Sequence, residues 1–569
     1  MRTFWWIVIL LVVSCNLQSP KGVHPSYQME GTIGDSGMVV STHPIASDIG
    51  LSILRQGGNA VDAAVATFFA LAVVYPEAGN LGGGGFAIYR SAKGEIFALD
   101  FREKAPAAAH RDMYLDENGQ PIPRLSLDGH LAVGVPGSVA GMVELHRKLG
   151  KLPWKDLIQP AIQVARNGHV LTALSAENLN RMKERFISAN RYPIHLVRHD
   201  RPWRKGDTIY HPELANTLER IRDHGYEGFY KGLTADLIIA EMKAGKGIIT
   251  YEDLANYQPV WREPLTSYYK QRYRIISMPP PSSGGIALLQ LLQGSQDYPF
   301  AKWGHNTANT VHIMTELERR VYADRATYLG DPDFYQVPVK MLLNPAYNRQ
   351  RNASIRMNKK TPSSEIKEGN VSSIESLETT HFSIADHEGN AIALTTTLNS
   401  YYGCKVMVKG AGFFLNNEMD DFSIKPGVPN QFGLVGNQAN AIAPNKRMLS
   451  SMTPTIVEKD GKLYMVVGTP GGSTIITGVY QTILNVIEHG MTMQEAVNAK
   501  RFHHQWLPDR ILYEKDAFTK KVKEKLTSMG HHLEEVSSLC KVDAILVRPD
   551  GKYEGATDYL RSEGKAAGY

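Results

Sequence analysis

Cysteine is scarce in this chain, which has only Cys15, Cys404 and Cys540 among 569 residues. So few cysteines exclude a disulfide framework. Neither a Cys-x-x-Cys pair nor a His-Glu-x-x-His motif is present, so the sequence gives no support for a zinc site. For Cys404 and Cys540, one disulfide bridge and two separate buried thiols both stay open.

Blocks of charge of one sign are absent as well. The chain has 62 basic and 57 acidic residues scattered along its length, with a net charge of +5. A nucleic-acid-binding protein typically has a basic block with interleaved aromatic residues, so we expect no nucleic-acid partner here. The 43% hydrophobic content indicates a globular protein with a sizeable core.

A long apolar run occurs only at the N-terminus, over Phe4–Val13. It is too short to span a bilayer but fits the core of a secretion signal. The residues that end at Cys15 resemble a bacterial lipoprotein signal, so we expect residues 1–15 to be a signal peptide with Cys15 as the lipidated residue. A plain cleaved signal with an incidental cysteine is the alternative. Asn16 favours the outer membrane, which predicts an exported periplasmic or cell-surface lipoprotein that contacts membrane through its anchor alone.

Helical and extended patterns alternate along the rest of the chain, without a repeat of fixed period. Helices are predicted over Asn59–Val74, Trp154–Asn167 and Thr310–Tyr328. Four glycines, Gly82–Gly85, lead into a predicted strand at Phe86–Tyr89. Phosphate-binding glycine loops follow a strand and open a helix, so this reversed order favours close backbone packing instead. The whole pattern predicts a mixed α/β protein with layered sheets and covering helices.

The composition changes before a threonine pair, Thr379-Thr380. Residues 348–378 are rich in Lys, Ser, Glu and Asn with few aromatics, which is typical of a flexible segment. Predicted strands at Phe382–Ala385 and Ala391–Leu394 then form a hairpin. A hydroxyl needs a neighbouring base to act as a nucleophile, and a threonine at the start of a chain can use its own α-amine. Thr379 gains that amine only if the chain is cut before it.

Several long motifs, spread over nearly all of the chain from Ser41 to Tyr569, match those of a known family. They are Gly57–Ala66, Asp100–Glu103, Gly134–Ser138, Pro279–Gly285, Asn416–Ser423 and Arg501–Trp506. Together they resemble the γ-glutamyltranspeptidases, of the N-terminal-nucleophile hydrolase superfamily. The resemblance implies a four-layer αββα sandwich built from two subunits of one self-cleaved precursor. The large subunit would be residues 16–378, the small catalytic subunit residues 379–569, and the cut would fall between Glu378 and Thr379.

The same resemblance assigns roles in acyl transfer. Thr379 would be the nucleophile, Thr397 would orient it, and Gly471 and Gly472 would stabilise the oxyanion through their backbone N–H groups. The implied cycle needs no metal and no organic cofactor. Thr380 has no catalytic role, and His381, His503 and His504 would be structural because the α-amine already supplies the base.

A γ-glutamyl group carries an α-carboxylate beside an α-ammonium, so its pocket needs donors next to acceptors. The residues implied for the carboxylate are Arg102, Ser450 and Ser451; those implied for the ammonium are Asn399, Glu418 and Asp421. An arginine suits the carboxylate because its guanidinium binds in a bidentate manner. Lys425–Arg447 resembles a lid loop with Phe432 as its aromatic gate, although Phe432 as an ordinary loop anchor stays open.

The function expected from the resemblance is removal of the γ-glutamyl group from glutathione and related γ-glutamyl compounds, with transfer to water, an amino acid or a dipeptide acceptor. Large and small subunits would form a heterodimer from one precursor. One alternative is a cephalosporin or glutaryl acylase of the same fold, against which the ammonium acceptors argue. The other is a non-catalytic peptide-binding surface lipoprotein, which would keep Thr379 internal.

Overall fold

The protein is described by a computed structural model that covers residues 29–366 and 379–569. Cys15, the expected signal peptide 1–15 and Glu378 therefore lie outside the described residues. Within those two ranges, helices are all too short or too polar to cross a membrane.

Two seven-stranded antiparallel sheets form the centre of the molecule, with strands numbered in chain order. Sheet I has the spatial order β1 (Thr32–Gly34), β18 (Tyr553–Thr557), β17 (Asp543–Val547), β13 (Lys462–Gly468), β12 (Thr455–Lys459), β9 (Tyr273–Ser277) and β8 (Leu265–Tyr269). Sheet II has the order β19 (Lys565–Gly568), β2 (Met38–Ser41), β10 (Thr380–Ala385), β11 (Ala391–Thr397), β3 (Gly84–Arg90), β4 (Ile96–Asp100) and β7 (Val260–Arg262). Two small sheets contain β14 (Phe502–His503), β15 (Ile511–Glu514) and β16 (Leu533–Val536), and β5 (His169–Val170) with β6 (Thr208–Ile209).

Helices cover the outer face of each sheet. They are α1 (Pro44–Arg55), α2 (Ala60–Val74), α3 (Ser138–Leu149), α4 (Trp154–Asn167), α5 (Ala173–Ala189), α6 (Pro212–His224), α7 (Glu227–Tyr230), α8 (Gly232–Gly245), α9 (Tyr251–Ala255), α10 (Gly284–Ser295), α11 (Phe300–Trp303), α12 (Ala308–Tyr328), α13 (Val339–Leu342), α14 (Pro345–Asn352), α15 (Ile475–Ile487), α16 (Met493–Asn498) and α17 (Lys520–Ser528).

Three apolar clusters hold the layers together. One packs α1–α4 and α6–α8 on sheet II, and another packs α10, α12 and α15–α17 on sheet I. The third lies between the sheets, where Phe86 and Ile88 of β3 meet Ile456 of β12 and Val466 of β13. Alternate residues of each strand thus face the other sheet or the helices. The expected αββα sandwich is confirmed.

Helix α2 shows how the sequence sets this arrangement. Asn59 caps it by accepting hydrogen bonds from the backbone N–H groups of Val61 and Asp62, and the Asp62 carboxylate accepts one from the Asn59 N–H. This capping box satisfies backbone donors that would otherwise be unpaired. All residues of α2 are buried, as the alanine and valine content on every face predicts. The three predicted helices are present, and only α12 begins noticeably earlier than expected, at Ala308.

The glycine run packs closely against strand β11. A Cβ atom on Gly83 would lie 2.0 Å from the Thr397 carbonyl oxygen, and one on Gly85 would lie 2.3 Å from that of Thr395. No side chain fits at those distances. The close-packing interpretation of this run is confirmed, and it brings β3 against the end of β11.

The segment expected to be flexible from residue 348 contains helical residues and specific hydrogen bonds as far as residue 366. Asn348 lies within α14, and the chain is then held at Ser363, whose Oγ donates to the Trp506 carbonyl at 2.6 Å. The Trp506 indole donates in turn to the carbonyl oxygens of Ser363 and Ile366, at 3.0 and 3.1 Å. Composition indicates low burial of apolar surface but does not reveal specific hydrogen bonds of this kind. Residues 367–378 lie outside the described ranges.

Cys404 and Cys540 are both buried free thiols, so the disulfide alternative is wrong. Cys540 donates through Sγ to the Thr474 carbonyl at 3.1 Å. Burial raises the pKa of the Cys404 thiol to about 12 and that of Cys540 to about 11. Both thiols therefore stay protonated and unreactive at neutral pH.

Three buried histidines, His43, His169 and His211, and the partly buried His195 predict acid sensitivity. Burial lowers the pKa of His43 to about 3 and those of His169 and His195 to about 4, and that of His211 falls well below its usual value. The unfolded chain binds protons below pH 6.5 that the folded chain rejects, so stability falls as the pH drops from 6.5 towards 4. Each histidine contributes a slope of up to about 1.4 kcal/mol per pH unit. Denaturant unfolding at pH 7 and pH 5 measures the change in the free energy of unfolding. His211→Gln should make that change smaller than in the wild type. The same change in both proteins would contradict the prediction.

Candidate active site

A cavity of about 300 Å³ lies where β10 begins and β11 ends. Of the residues expected in the site, those that line it are Arg102, Thr379, Thr397, Asn399, Glu418, Asp421, Phe432, Ser450, Ser451 and Gly472. Gly471 precedes Gly472 in the chain but does not itself line the cavity. The cavity also has lining residues that the sequence did not single out: Arg325, Leu434, Met452 and Ile475.

Thr379 stands immediately before β10 and is buried, with only 7% of its surface exposed. In the β10–β11 ladder Thr380 lies opposite Thr396, which places Thr397 opposite Thr379. The Thr397 hydroxyl oxygen accepts a hydrogen bond from the Asn399 N–H at 2.7 Å. Asn399 adopts a left-handed backbone with φ 71°, which turns the chain back at the end of β11. The strand register therefore aligns the two threonines at one end of sheet II.

Gly471 and Gly472 follow β13 and lead into α15. Their φ angles are 145° and 54°, a backbone that side chains disfavour. Among the described residues, neither amide N–H has a hydrogen-bond acceptor. A Cβ on Gly472 would lie 2.6 Å from the Phe432 ring, so only glycine fits beneath that side chain. The N–H groups are thus placed beside the cavity near a helix N-terminus, where negative charge is favoured.

Arg102 is fully buried after β4, and carboxylates surround it. Its Nη1 donates to Glu418, its Nη2 donates to Asp421 at 2.5 Å, and Glu103 lies 3.5 Å from Nη1. The backbone carbonyls of Met448 and Leu449 accept further bonds from the same guanidinium. Arg102, expected to bind the carboxylate, is therefore paired with Glu418 and Asp421, which are expected to bind the ammonium.

The acidic side chains of this cluster are costly to ionise. Burial raises the pKa of Glu103 to about 7 and that of Glu418 well above its usual range, while the Arg102 charge opposes both rises. Burial also raises the pKa of Asp421, again against Arg102. Among the described residues, both carboxylate oxygens of Glu103 and Oε2 of Glu418 have no hydrogen-bond partner. The ionised carboxyl groups are thus stabilised mainly by the positive charge of Arg102. A cationic ligand group would stabilise their ionised form further.

Asn399 is oriented to accept a hydrogen bond. Its side-chain Nδ2 donates to the Asn417 carbonyl at 2.9 Å, which directs Oδ1 elsewhere as an acceptor. Ser450 is held by the irregular turn Pro279–Gly285: its N–H donates to the Pro281 carbonyl at 3.0 Å, and its carbonyl accepts from the Ser283 N–H at 2.7 Å. The turn therefore holds Ser450 at the cavity.

The loop expected to be a lid, Lys425–Arg447, lies against the cavity, which Phe432 and Leu434 help to line. Asn430 Nδ2 donates to Asp421 Oδ1 at 3.2 Å, and the Gln431 N–H donates to Asp420 Oδ2 at 2.9 Å. Gln505 donates to the Phe432 carbonyl at 3.1 Å, and the Phe432 ring is buried against Gly472. The loop is thus attached directly to acidic residues of the site.

Shortening the gate side chain tests the lid. We expect Phe432→Ala to raise the ratio of hydrolysis to transfer about threefold or more, because an opened cavity admits water to the acyl-enzyme. Product ratios with glutathione and a dipeptide acceptor measure the effect. Phe432→Leu, which keeps an apolar side chain, should change the ratio less. An unchanged ratio in Phe432→Ala would favour the ordinary loop anchor.

The three histidines considered as bases do not line the cavity. His381 bonds to Thr395 at 2.8 Å and His503 bonds to Thr477 at 2.8 Å, while His504 accepts from the Trp506 N–H at 3.0 Å. Burial lowers the pKa of each, to between about 3 and about 4. They are neutral and hydrogen-bonded inside the protein, as a structural role requires.

The class of protein follows from this architecture: an αββα sandwich with a threonine at the start of an inner strand is the fold of the N-terminal-nucleophile hydrolases. Among solved structures, the cephalosporin acylase from Bacillus halodurans is similar over 97% of this chain and 99% of its own, with a TM-score of 0.82 and 26% identity. The Helicobacter pylori γ-glutamyltranspeptidase structure is 45% identical, with a TM-score of 0.56, over 60% of this chain and 97% of that one.

Sequence comparison identifies the family. The profile of the γ-glutamyltranspeptidase family matches residues 46–569, and the chain belongs to that family. The glutathione hydrolase proenzyme of Escherichia coli is 45% identical over 99% of this chain and 98% of its own length. That of Pseudomonas aeruginosa is 47% identical over 92% of this chain and 93% of its own.

Proposed function

We propose that the protein is a self-processing γ-glutamyltranspeptidase and glutathione hydrolase whose nucleophile is Thr379. The observation that carries this proposal is the single cavity in which Thr379 meets a guanidinium, Arg102, and two ammonium acceptors, Glu418 and Asp421. That set matches the charges of a γ-glutamyl group and not those of a simple acyl group. Family membership and two proenzyme relatives at 45% and 47% identity support the same activity.

Maturation would cut the bond between Glu378 and Thr379, which frees the Thr379 α-amine. The amine then takes the proton of Thr379 Oγ as that oxygen attacks the γ-carbonyl carbon. The C–N bond of the substrate breaks, the leaving amine takes the proton, and the glutamyl group is left as an ester on Thr379. Water or the amine of an amino acid or dipeptide attacks the ester and regenerates the hydroxyl.

Binding would proceed by exchange of ion pairs. The substrate α-carboxylate replaces the side-chain carboxylates on Arg102 and accepts from Ser450 and Ser451. The α-ammonium then compensates the released Glu418 and Asp421. Because both charges of the ligand find partners that the site already contains, no net charge is buried.

The tetrahedral intermediate would be stabilised by the N–H groups of Gly471 and Gly472. Preorganised donors of this kind are worth about 3 to 4 kcal/mol of transition-state stabilisation each. Thr397, opposite Thr379 in the ladder, would hold the nucleophile in its attacking orientation. The large and small subunits, 16–378 and 379–569, would remain together as a heterodimer.

The N-terminal sequence supports export, with Cys15 lipidated and the catalytic body tethered at the periplasmic or cell surface of the outer membrane. Metabolic labelling with a fatty acid tests this anchor. We expect label in the wild type and none in Cys15→Ser; unlabelled wild type would favour the plain cleaved signal.

The acylase alternative has the weaker support. Its relative, an acylase proenzyme from Pseudomonas sp., is 34% identical over 92% of this chain. An acyl group without an α-ammonium would leave the carboxylates of Glu418 and Asp421 without a ligand cation.

Mass spectrometry after incubation with glutathione, with and without a dipeptide acceptor, tests the function. We expect glutamate and cysteinylglycine without acceptor and a γ-glutamyl tripeptide with it. Denaturing electrophoresis should show two bands. A single full-length band that releases no glutamate would indicate the non-catalytic alternative, whereas cleavage of a glutaryl amide in preference to glutathione would indicate the acylase.

A further inference from the structure

Arg325 is the charged residue of the cavity to which no role has been assigned. It lies in the last turn of α12 and is buried, 5% exposed. Its Nε donates to Ser283 Oγ at 2.9 Å, and its Nη2 donates to Ser451 Oγ at 3.1 Å. Within the described residues its Nη1 has no hydrogen-bond acceptor, and the side chain lines the cavity. Two of its nitrogens are therefore fixed, and the third is available to a ligand.

The bonds of Arg325 determine which way Ser451 points its hydrogen. A serine hydroxyl has one hydrogen to donate and two lone pairs to accept with. Ser451 Oγ accepts from Arg325, so its hydrogen is directed to another group. Ser450 Oγ accepts in the same way, from the Met452 N–H at 3.1 Å. Both hydroxyl hydrogens are thus left for an acceptor such as a carboxylate.

Ser283 fixes Arg325 and the serine pair together. Its hydroxyl donates to the Ser450 carbonyl at 2.6 Å while accepting from Arg325 Nε. One side chain thereby ties the end of α12 to the loop that carries Ser450 and Ser451. Rigid support of this kind is what a precise binding site needs.

Charge gives Arg325 a second effect. Three acidic side chains, those of Glu103, Glu418 and Asp421, surround Arg102. Burial raises the pKa of each, and those that are ionised share a single guanidinium. Such a cluster would repel an incoming carboxylate. Arg325 attracts Asp421 electrostatically and adds a second positive charge at the cavity wall. Burial lowers the pKa of Arg325 to about 10, so it remains charged at neutral pH.

We propose that Arg325 is a positioning residue for the α-carboxylate of the γ-glutamyl donor, and that it determines the preference for a free carboxylate over a neutral group at that position. It acts by holding Ser451 as a hydrogen-bond donor and by offsetting the negative charge around Arg102. This inference rests on the proposed function, because it concerns the same cavity.

The test compares two donors: a γ-glutamyl anilide with its α-carboxylate, and the same anilide with an α-carboxamide. We expect Arg325→Met to lower kcat/KM for the carboxylate donor about 10- to 100-fold, mainly through KM, since charge-assisted hydrogen bonds are lost. Turnover of the carboxamide donor should change no more than about threefold. Arg325→Lys keeps the positive charge but not the two-pronged guanidinium. Its kcat/KM for the carboxylate donor should therefore lie between those of the wild type and Arg325→Met.

Equal losses on both donors would show a purely structural role and overturn the proposal, as would an unchanged preference. Melting temperature and complete self-cutting check that each variant is folded. If Arg325→Met does not fold, Ser283→Ala replaces it in the test. This variant keeps the charge of Arg325 but removes the hydroxyl that fixes its position. It should reduce the preference for the carboxylate donor over the carboxamide donor several-fold. An unchanged preference in both Ser283→Ala and Arg325→Lys would also overturn the proposal.

Failure of the proposed function has a different signature. Wild-type protein would then turn over neither donor. Calorimetric binding of L-glutamate and of its α-amide, L-isoglutamine, would replace the kinetic comparison. A reduced difference between these two ligands in Arg325→Lys would support the role of Arg325, and an undiminished difference would overturn it.

Discussion

Thr379→Ala protein is expected to remain a single full-length chain and to show no γ-glutamyl turnover. The variant lacks both the hydroxyl that attacks the peptide bond during maturation and the hydroxyl that attacks the substrate. Removal of a catalytic nucleophile costs at least about a thousandfold in kcat. Thr379 lies at the start of β10 with little exposed surface, so loss of one hydroxyl and one methyl should leave the fold intact. Denaturing electrophoresis and an anilide assay measure the two effects separately.

The neighbouring threonine supplies the matched control. Thr380 is fully buried, but its Oγ1 bonds to Thr42 Oγ1 at 3.0 Å, and it does not line the cavity. Thr380→Val keeps the side-chain shape and should still give two bands and kcat within about threefold of wild type. Efficient self-cutting by Thr379→Ala would show that another residue is the nucleophile.

Arg102→Ala is expected to lower both stability and turnover. Removal of the guanidinium leaves Glu103, Glu418 and Asp421 buried without their main compensating charge. Loss of one partner from a buried ion pair costs about 3 to 5 kcal/mol. Turnover of γ-glutamyl donors should fall at least about a hundredfold, because the bidentate contact with the α-carboxylate disappears.

The stability loss should depend on pH in a defined direction. Without Arg102 the folded-state pKa values of these carboxyl groups rise further above their unfolded values. The folded state then binds more protons than the unfolded state, so stability falls as the pH rises from about 4 towards 7 and above. Denaturant unfolding at pH 5 and pH 8 measures this, with the larger deficit expected at pH 8.

Arg102→Lys is the matched control, since it retains a positive charge but lacks the guanidinium that binds a carboxylate in a bidentate manner. We expect near-normal stability with a raised KM. Wild-type activity in Arg102→Ala would remove Arg102 from the binding site. A stability deficit that does not change between pH 5 and pH 8 would contradict the carboxylate mechanism.

Much of the fold was predictable because its signals are local. The alanine and valine content on the faces of α2 predicts a buried helix, and the two neighbouring strand segments β10 and β11 predict a hairpin. The glycine run was interpretable because its order relative to β3 excluded the phosphate-binding alternative. The hydrogen bonds of residues 348–366 could not be predicted from the sequence, because they depend on partners such as Trp506 that lie far along the chain.

The site was predictable as a set of residues but not as an arrangement. Motif resemblance pointed to Arg102 and Glu418 separately, yet nothing in the sequence indicated that they pair with each other. Arg325 was missed for a related reason. From the sequence, an arginine near the end of an amphipathic helix is expected to be solvated. Only the packing of α12 against the loop that carries Ser450 and Ser451 reveals that Arg325 is buried.

Strands from both sides of Thr379 are interleaved within each sheet. Five ladders join a strand that precedes Thr379 to one that follows it: β1–β18, β9–β12, β2–β19, β2–β10 and β3–β11. Separation of the two pieces of a cut chain would break hydrogen bonds in both sheets and expose the apolar layer between them. The two polypeptides should therefore melt in one cooperative step, and neither can be a folding unit by itself. Cleavage would alter the covalent connectivity of the molecule and the chemistry of one amine, while the molecule remains thermodynamically one domain.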